Sequence, residues 1–390
     1  MRVLQVISSY PPAYIYGGPA KIALKISEEL SFRGHDVTVF TTDVFNAVSR
    51  LRSPVIANAS GKVKVHRFRN VSNFLARKNI AVAPGIAGGM MRELQNIDII
   101  HLHEYRSFQA IIACTYARKC RVPYVLQAHG SVLPVLNAEA LKRGYDWIWG
   151  RTILSNAHKV IALSRVEKQQ YEQMGVDASR IELLSNFVEC PGSGTASAAE
   201  DFKKQMGIPS ESRVILYLGR LHRRKGISHL VRAFEGLAGE YPDSFLVIAG
   251  PDDGYQREIE RLVRDLGLSG RVILPGFVKN AEDAYKSAEV LVYPGIHEIF
   301  GLVPFEALLC GTPIIVSAES GCGELVRESG SGLLIEYGNV ASISNAIRCV
   351  LEKPEYARAL VSKGKKHILE NLTLRAVVNR LESIYHDSIE

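Results

Sequence analysis

Two glutamates, Glu298 and Glu306, enclose the most distinctive segment of the chain, an Ile-Phe-Gly-Leu-Val-Pro-Phe run. Pro304 is tolerated only in the first turn of a helix and Gly311 favours a helix end, so the pattern predicts a helix from about Gly301 to Cys310. Glu306 then lies in an otherwise apolar helix, where burying a carboxylate without a partner costs free energy. A ribose diol is a suitable partner, and a salt bridge to a neighbouring helix is an equally good alternative.

A basic cluster follows an apolar run near position 220. Arg220 and Lys225 suit a diphosphate there, since both side chains pair with phosphate oxygens and a helix N-terminus adds positive potential. Preorganised cations also stabilise charge that grows on a leaving phosphate, so these residues can serve binding and catalysis. The other basic residues of this junction are expected to be solvated: His222, Arg223 and Arg224.

Two adjacent glycines, Gly17 and Gly18, precede Pro19, a residue suited to the first position of a helix. A glycine pair at a helix entry lets the backbone approach a phosphate or a sugar closely. A turn that simply needs positive φ explains the pair equally well.

Two histidines, His101 and His103, would share one face of a strand, which is a possible start of a metal site. No third ligand stands out near them, and the chain has no Asp-x-Asp triplet. The sequence therefore predicts neither a metal nor another cofactor.

These residues must be positioned by the elements around them, and the chain alternates short apolar runs with helical patterns in two series. The first series is Val3–Ser8, Pro19–Arg33, Asp36–Thr41, Ile97–Leu102, Ser107–Lys119 and Pro123–Ala128. In the second series the strands are Arg213–Gly219, Ser244–Gly250, Val272–Leu274, Val290–Tyr293 and Pro313–Ser317, and the helices are Ile227–Glu240, Tyr255–Leu266 and Leu302–Cys310. Such alternation predicts an α/β fold of two doubly wound parallel sheets, whose strand ends face each other across a ligand-binding cleft.

The domain boundary is expected at the Gly/Ser/Ala-rich segment near 190–200. Residues 1–190 form one predicted domain, with a final helix at about 371–390 packing back on it, and residues 191–370 form the other. A length of 390 residues suits two such domains. Hydrophobic residues at 47% and charged residues at 22% are ordinary for a globular α/β protein.

Six scattered cysteines without a CxxC pair favour a reducing compartment, and no signal peptide or membrane-spanning run is visible. A cytoplasmic protein is therefore expected. Residues 1–190 hold 24 Lys+Arg against 14 Asp+Glu, whereas residues 191–390 hold 23 against 26. The basic excess belongs to the first half, and no nucleic-acid-binding module accompanies it.

The residues above resemble those of retaining glycosyltransferases of family 4, also called glycosyl transferases group 1, which have the GT-B fold of two Rossmann-like domains. The likeness covers almost the whole chain and is strongest from Arg213 to Glu336. Further segments that carry it are Asp98-Ile-Ile-His-Leu-His, Gln127-Ala-His-Gly, Ala249-Gly-Pro, Leu274-Pro-Gly-Phe and Ser320-Gly-Cys-Gly-Glu.

The resemblance implies that the donor is a UDP- or GDP-sugar, transferred as a hexosyl residue with retention. Arg220 and Lys225 would bind its diphosphate, Glu306 its ribose and Glu298 the transferred sugar, and His129 would stand at the reaction centre. The remaining donor contacts would come from loops and strand ends: Gly17, Gly18, Gly219, Pro275, Gly276, Phe277, Val278, Phe300, Gly301 and Leu302.

The acceptor is expected on the N-terminal domain. An acid-free stretch, Val44–Arg92, carries nine cations among apolar residues, and Leu133–Trp149 combines Lys142 and Arg143 with two tryptophans. Basic and apolar residues together suit a peripheral surface on an anionic membrane, and a solvated basic face is the alternative. We therefore expect a glycan or polyprenyl-linked acceptor, used in cell-surface polysaccharide or glycoconjugate synthesis at the cytoplasmic membrane face. Two other functions stay open, another GT-B enzyme such as a sugar-nucleotide epimerase and a non-catalytic glycosyltransferase-like subunit.

Overall fold

The computed structural model describes residues 1–13, 18–46, 49–51, 63–76, 80–134, 138–190 and 198–390. The chain forms two compact units, one of Met1–Phe187 with Leu374–Glu390 and the other of Val188–Thr373. Gly17 and most of the Gly/Ser/Ala-rich segment fall outside the described residues. Among the described helices, none has both the length and the apolar character that a membrane span requires.

The first unit alternates strands and helices from its first residues. Its elements are β1 (Arg2–Val6), α1 (Gly18–Phe32), β2 (Asp36–Thr42), β3 (Val63–Phe68), α2 (Asn73–Ala76), α3 (Gly85–Glu93), β4 (Ile99–His103), α4 (Phe108–Cys120), β5 (Tyr124–Gln127), α5 (Glu139–Tyr145), a π-helical turn (Asp146–Gly150), α6 (Arg151–Asn156), β6 (Lys159–Ala162), α7 (Arg165–Gln173) and β7 (Ile181–Leu183).

The seven strands of this unit run parallel in the order β3-β2-β1-β4-β5-β6-β7. Helices cover both faces of such a sheet, which explains why the central strands are buried along nearly their whole length. The strand order reverses between β1 and β4. In open α/β sheets, ligands bind at the carboxyl ends of the strands beside this reversal.

The second unit repeats the pattern with a smaller sheet. Its elements are α8 (Ala198–Gln205), β8 (Arg213–Leu218), a 3₁₀ turn (Arg223–Lys225), α9 (Ile227–Glu240), β9 (Ser244–Ala249), α10 (Gln256–Asp265), β10 (Val272–Gly276), α11 (Ala281–Ser287), β11 (Val290–Tyr293), α12 (Leu302–Cys310), β12 (Ile314–Ser317), α13 (Gly321–Ser329), β13 (Leu333–Ile335), α14 (Val340–Glu352) and α15 (Pro354–Asn371). Six parallel strands lie in the order β10-β9-β8-β11-β12-β13, so the reversal here falls between β8 and β11.

The final helix, α16 (Leu374–Ile389), belongs to the first unit. Its side chains Val378, Leu381 and Tyr385 are fully buried in the apolar cluster on one face of the seven-stranded sheet. Arg33, the residue after α1, donates a 2.6 Å hydrogen bond to the Glu382 carboxylate. The helix is therefore an integral part of that unit's core.

The prediction of two doubly wound parallel sheets is confirmed. Each strand and helix of the two predicted series matches an observed element to within two residues at either end. β3 was not predicted, because it lies inside the acid-free stretch whose basic residues interrupt the apolar pattern.

Candidate active site

The strand ends of the second unit are held together by close backbone contacts at glycines. Gly219 donates its N–H to the carbonyl of Ala249 at 2.9 Å, and Gly250 donates to the carbonyl of Gly276 at 2.8 Å. A Cβ atom at Gly250 would lie 1.9 Å from the Gly219 oxygen, so only glycine fits there. The carboxyl ends of β8, β9 and β10 therefore form one tight platform beside the reversal of strand order.

Lys225 lies at this edge of the sheet, at the end of the 3₁₀ turn that precedes α9. The next residue, Gly226, has φ 69°, and a Cβ atom there would lie 2.4 Å from the carbonyl oxygen of Pro294. Because glycine allows that approach, the turn packs against the loop that follows β11. The loop in turn carries Glu298.

Lys225, Tyr293 and Glu298 converge into one polar cluster, which we call the Lys225 cluster. The Lys225 ammonium forms an ion pair with the Glu298 carboxylate and lies 3.3 Å from the Tyr293 hydroxyl. Tyr293 also donates a 2.8 Å hydrogen bond to the same Glu298 oxygen. Both ionic side chains are mostly buried, with 17% and 21% of their surface exposed. A cation and an anion are thus held at fixed positions in a site shielded from water.

The neighbouring tyrosines keep their protons in this setting. Burial, followed by the nearby Glu298 carboxylate, raises the pKa of Tyr293 well above its ordinary value. The pKa of Tyr217 is raised for the same two reasons, and its ring stacks on Tyr293 with centroids 6.2 Å apart. The Tyr293 hydroxyl is therefore a permanent donor that orients the Glu298 carboxylate.

Arg220 lies at the end of β8 but outside the Lys225 cluster. Its guanidinium is 68% exposed and pairs with Asp253 at 3.0 Å. Its backbone carbonyl accepts a 3.0 Å hydrogen bond from Tyr217. The structure therefore brings Lys225 and Glu298 together and leaves the Arg220 side chain on the surface of the same sheet edge.

Glu306 lies on α12, as the proline and glycine pattern predicts. Its carboxylate accepts a 3.0 Å hydrogen bond from the Tyr285 hydroxyl on α11. Burial and the Glu306 charge raise the pKa of Tyr285 well above its ordinary value, so this hydroxyl also remains a donor. The carboxylate is half-buried and is oriented by that bond.

The other predicted donor residues are spread over the ends of strands and helices in both units. Gly301 caps α12 with φ 74°, and a Cβ atom there would lie 3.1 Å from Cγ of Glu298. Phe300 is buried, Leu302 begins α12, and Gly18 begins α1 with open space around it. Four more end or follow β10, and Phe277 among them is 74% exposed: Pro275, Gly276, Phe277 and Val278.

Three histidines form a stacked row at the switch point of the first unit. His101 stacks on His103 at 4.0 Å between ring centroids, and His103 stacks on His129 at 5.3 Å. Nε2 of His103 lies 2.9 Å from the side-chain oxygen of Gln5, and its Nδ1 lies 3.0 Å from Nε2 of His129. Because that oxygen can only accept, His103 donates to it from Nε2 and accepts at Nδ1. His129 then donates from Nε2 and keeps an unprotonated Nδ1.

Burial keeps all three rings neutral. It lowers the pKa of His101 and of His129 to about 3, and it lowers the pKa of His103 well below the ordinary value. His101 is additionally anchored by a 2.7 Å contact between its Nδ1 and the Tyr385 hydroxyl of α16. The row therefore presents a neutral imidazole, His129, at the end of β5.

Sequence models of known protein families match both halves of the chain. A sequence model described as Glycosyltransferase Family 4 matches residues 16–190, and one described as Glycosyl transferases group 1 matches residues 198–367. The chain belongs to this glycosyltransferase family.

Individual relatives are distant but cover most of the glycosyltransferase. It is 27% identical to an uncharacterised glycosyltransferase of Methanocaldococcus jannaschii over 100% of this chain and 99% of the relative. It is 28% identical to D-inositol 3-phosphate glycosyltransferase of Xylanimonas cellulosilytica, covering 82% and 80% of the two chains.

Solved structures share the fold at lower identity. Sucrose-phosphate synthase from Thermosynechococcus elongatus has a TM-score of 0.80 and 23% identity over 99% of each chain. Anabaena HepE in complex with UDP-glucose has a TM-score of 0.78 and 20% identity over 99% of this chain and 100% of that one. These neighbours confirm the GT-B fold of the glycosyltransferase.

Two carboxyl groups of the first unit with raised pKa values were not predicted from the sequence. Glu167 accepts backbone N–H bonds from Gly130 at 2.6 Å and from Leu163 at 2.8 Å, so it fixes the turn that carries His129. Burial raises its pKa to about 7. The pattern Ser164-x-x-Glu at the start of α7 is a helix-capping signature that could have pointed to this residue.

Glu104 directly follows the histidine strand β4 and adopts a left-handed backbone with φ 77°. Its carboxylate accepts hydrogen bonds from both the hydroxyl and the backbone N–H of Ser8. Burial raises its pKa to about 7. Nothing in the sequence distinguishes this glutamate, because its special backbone conformation appears only in three dimensions.

The acid-free stretch of the glycosyltransferase is less exposed than the sequence suggests. Ile86 and Met90 are fully buried in the core, and Arg67 is buried with its guanidinium bonded to the carbonyls of Tyr10 and Pro11. The expectation that the basic and apolar residues of Val44–Arg92 form a peripheral surface is wrong for these three, since β3 is the edge strand of the sheet and α3 packs into the core. Four of its cations lie outside the described residues: Arg52, Lys62, Arg77 and Lys78.

Proposed function

We propose that this glycosyltransferase transfers a hexosyl residue from a UDP- or GDP-sugar, with retention of configuration, to a glycan or lipid-linked glycan acceptor. The observation that carries the proposal is the Lys225 cluster, which fixes an ammonium, a carboxylate and a phenol at the switch point of the second unit. Two of the similar proteins support it. One relative is a D-inositol 3-phosphate glycosyltransferase, and one structural neighbour was solved with UDP-glucose.

In the proposed complex the donor inserts its diphosphate beside Lys225 and its sugar beside Glu298. The ammonium then neutralises phosphate charge, and the carboxylate accepts hydrogen bonds from sugar hydroxyls. Tyr293 keeps Glu298 oriented because its hydroxyl stays protonated. Glu306, oriented by Tyr285, accepts the ribose hydroxyls.

The chemistry proposed at this site needs charge stabilisation more than a nucleophile. The bond between the anomeric carbon and the diphosphate oxygen breaks, and the acceptor oxygen bonds to the same face of that carbon. The departing diphosphate oxygen takes the acceptor's proton, and Lys225 and Arg220 stabilise the negative charge that develops on it. These two cations supply the positive charge, so we propose a reaction without a metal. His129, neutral and fixed in one tautomer, contacts the reacting sugar in this proposal.

We further propose that the acceptor is lipid-linked, that the protein works at the cytoplasmic face of a membrane, and that its product enters cell-surface polysaccharide or glycoconjugate. The excess of cations in residues 1–190 supports this, because anionic lipid attracts basic protein surfaces.

A screen of sugar nucleotides tests the transfer reaction. UDP- and GDP-hexoses are incubated with the enzyme, and NMR follows hydrolysis or transfer and reads the product anomer. We expect turnover of at least one donor with the α or β configuration retained. Lys225→Ala and Glu298→Ala should each lower turnover by about 100-fold or more, the usual effect of removing a preorganised electrostatic group.

Arg223→Ala is the matched control, since Arg223 lies in the same turn but is exposed and paired with Glu258. It should keep wild-type turnover. Wild-type rates in both cluster variants, with folding intact, would defeat the assignment.

A further inference from the structure

Four of the exposed apolar side chains of the first unit lie at the junction of α5 and the π-helical turn. Leu141 is 75% exposed, Trp147 76%, Ile148 52% and Trp149 42%. These four residues, which we call the tryptophan face, include both tryptophans of the chain. Exposed apolar patches of this kind mark interaction sites, because they lower solubility unless something covers them.

The segment that carries the tryptophan face is fixed to the core of the first unit. Asp146 is buried and receives two hydrogen bonds from the Arg106 guanidinium, at 2.9 and 2.7 Å. The same guanidinium donates to the backbone carbonyl of Val132 at 2.9 Å. A Cβ atom at Gly150 would overlap the Tyr105 hydroxyl, so this glycine lets the turn sit directly on the core. The apolar side chains are therefore displayed on a fixed platform.

The π-helical turn explains why three consecutive large residues point outward. In a π-helix each hydrogen bond spans five residues, so a turn contains more residues than in an α-helix. The angle between successive side chains around the helix axis is therefore smaller. Asp146 and Gly150 face inward at the two ends of the turn. Trp147, Ile148 and Trp149 all lie between them on the outer side.

The charged residues of the segment 139–155 are mainly positive. Arg143 and Arg151 are exposed on the same segment. Of the two acids in 139–155, Asp146 is neutralised by Arg106, which leaves Glu139 as the other one. Tryptophan prefers the boundary between lipid headgroups and acyl chains, and arginine binds the phosphates of that boundary. The composition therefore complements an anionic bilayer.

A second copy of this chain is a poorer occupant. In a two-fold symmetric pair the same patch meets itself, so Arg143 and Arg151 of both copies would lie in one interface. Like charges brought together in this way oppose association.

We propose that the tryptophan face inserts into the interfacial layer of an anionic membrane while Arg143 and Arg151 bind lipid phosphates. The proposal deepens the proposed function by naming the surface that brings the enzyme to a lipid-linked acceptor, and the membrane contact itself does not depend on catalysis. The acid-free stretch also exposes apolar side chains such as Phe74 and Met91, and the proposal selects 139–155 because this segment carries both tryptophans on a fixed turn.

Intrinsic tryptophan fluorescence tests the proposal directly, because both tryptophans lie on the proposed contact. Full-length protein is mixed with vesicles of phosphatidylcholine alone or of phosphatidylcholine with phosphatidylglycerol. We expect a blue shift of emission only with the anionic vesicles, reversed by high salt. An unchanged spectrum at low salt would overturn the proposal.

Co-sedimentation with the same anionic vesicles tests the residues. Trp147→Ser with Trp149→Ser should abolish binding, and Arg143→Gln and Arg151→Gln should each weaken it about fivefold. Phe32→Ser, which removes a single exposed phenylalanine from α1 of the same unit, is the matched control and should bind like wild type. Vesicle binding by the tryptophan variant equal to that of the wild type would contradict a lipid contact. So would self-association of the wild-type protein that disappears in the tryptophan variant.

Donor hydrolysis measured without vesicles separates this proposal from the proposed function. The tryptophan variant should hydrolyse donor at the wild-type rate while losing vesicle binding. Lys225→Ala should show the reverse. Loss of vesicle binding in both variants would contradict a dedicated membrane surface, whereas failure of hydrolysis in wild type would count against the proposed function alone.

Discussion

Two tyrosine hydroxyls orient the two glutamates that the proposed function assigns to the donor. Tyr293 donates to Glu298 and Tyr285 donates to Glu306, at 2.8 and 3.0 Å. Each hydroxyl is kept protonated by burial beside a carboxylate. They act through the glutamates, so their effects on kinetics should follow the role of each glutamate.

We expect Tyr293→Phe to lower kcat and Tyr285→Phe to raise KM for the sugar nucleotide. Losing one hydrogen bond is worth about 1 kcal/mol, or about fivefold in either constant. Steady-state kinetics with the best donor from the screen would measure kcat and KM for both variants. A purely structural role of both hydroxyls would lower thermal stability and leave both constants unchanged.

The histidine row predicts how stability depends on pH. The folded pKa of His101 is about 3, whereas an unfolded histidine titrates near 6.5. As the pH falls below about 6.5, the unfolded chain binds a proton that the folded chain does not bind. The free energy of unfolding therefore decreases until the pH nears 3. His101→Phe removes this loss, which amounts to about 1.4 kcal/mol per pH unit.

Thermal unfolding at several pH values between about 4 and 6.5 measures the effect. The melting temperature of His101→Phe should fall less steeply than that of the wild type, whatever its absolute value. The raised pKa values of Glu104 and Glu167 have the opposite effect on the pH dependence, but they are present in both the wild type and the variant. His386→Gln, at an exposed site on α16, should keep the wild-type slope. Equal slopes for His101→Phe and wild type would refute the buried neutral histidine.

At the scale of elements, the junction between the 3₁₀ turn and α9 sets the place of Lys225. Gly226→Ala forces a Cβ atom to within 2.4 Å of the Pro294 oxygen at a residue with φ 69°. We expect the turn to shift and donor binding to weaken at least tenfold, with a loss of about 2 kcal/mol in unfolding free energy. Gly236→Ala, inside the same helix with open space around it, should instead stabilise by about 0.5–1 kcal/mol. Equal donor affinity in the two variants would show that the turn does not position the site.

The sequence predicted elements well where one rule decided them. Pro304 and Gly311 set the ends of α12, and apolar runs located the central strands. β3 was missed because its burial alternates along a strand that also carries Lys64 and Arg67. The π-helical turn was beyond sequence rules, since it depends on the tertiary bonds of Asp146.

Some residues of the candidate site could be predicted from local sequence patterns, and others could not. Residue type and position indicated Lys225 and Glu306, and the family likeness added Glu298. The bonds to Tyr293 and Tyr285 join residues on different elements, which no local pattern reveals. Arg220 was predicted correctly at a strand end, but its partner Asp253 follows from the packing of a loop after β9.

At the scale of the whole molecule, α16 ties the end of the chain to the first unit. Deleting 374–390 exposes the core around Val378, Leu381 and Tyr385, and burial of these side chains is worth about 5 kcal/mol. We expect the first unit to lose its cooperative transition while the second unit keeps its own.

The two signals can be separated, because both tryptophans belong to the first unit. Tryptophan emission reports on that unit, and far-ultraviolet circular dichroism reports on both. Ile389→Ser, near the exposed end of the helix, is the mild control and should keep both transitions. An unchanged tryptophan transition after the deletion would contradict the role given to α16.

The central claim is that the Lys225 cluster holds the diphosphate of a sugar nucleotide, and calorimetric titration tests it most directly. UDP, UDP-glucose, GDP and GDP-mannose are titrated into wild type, Lys225→Ala, Glu298→Gln and the Arg223→Ala control. We predict that one nucleotide pair binds the wild type and the control, that Lys225→Ala weakens both members of that pair at least tenfold, and that Glu298→Gln weakens the sugar nucleotide more than the free diphosphate. Undiminished binding of the diphosphate by Lys225→Ala would contradict the claim.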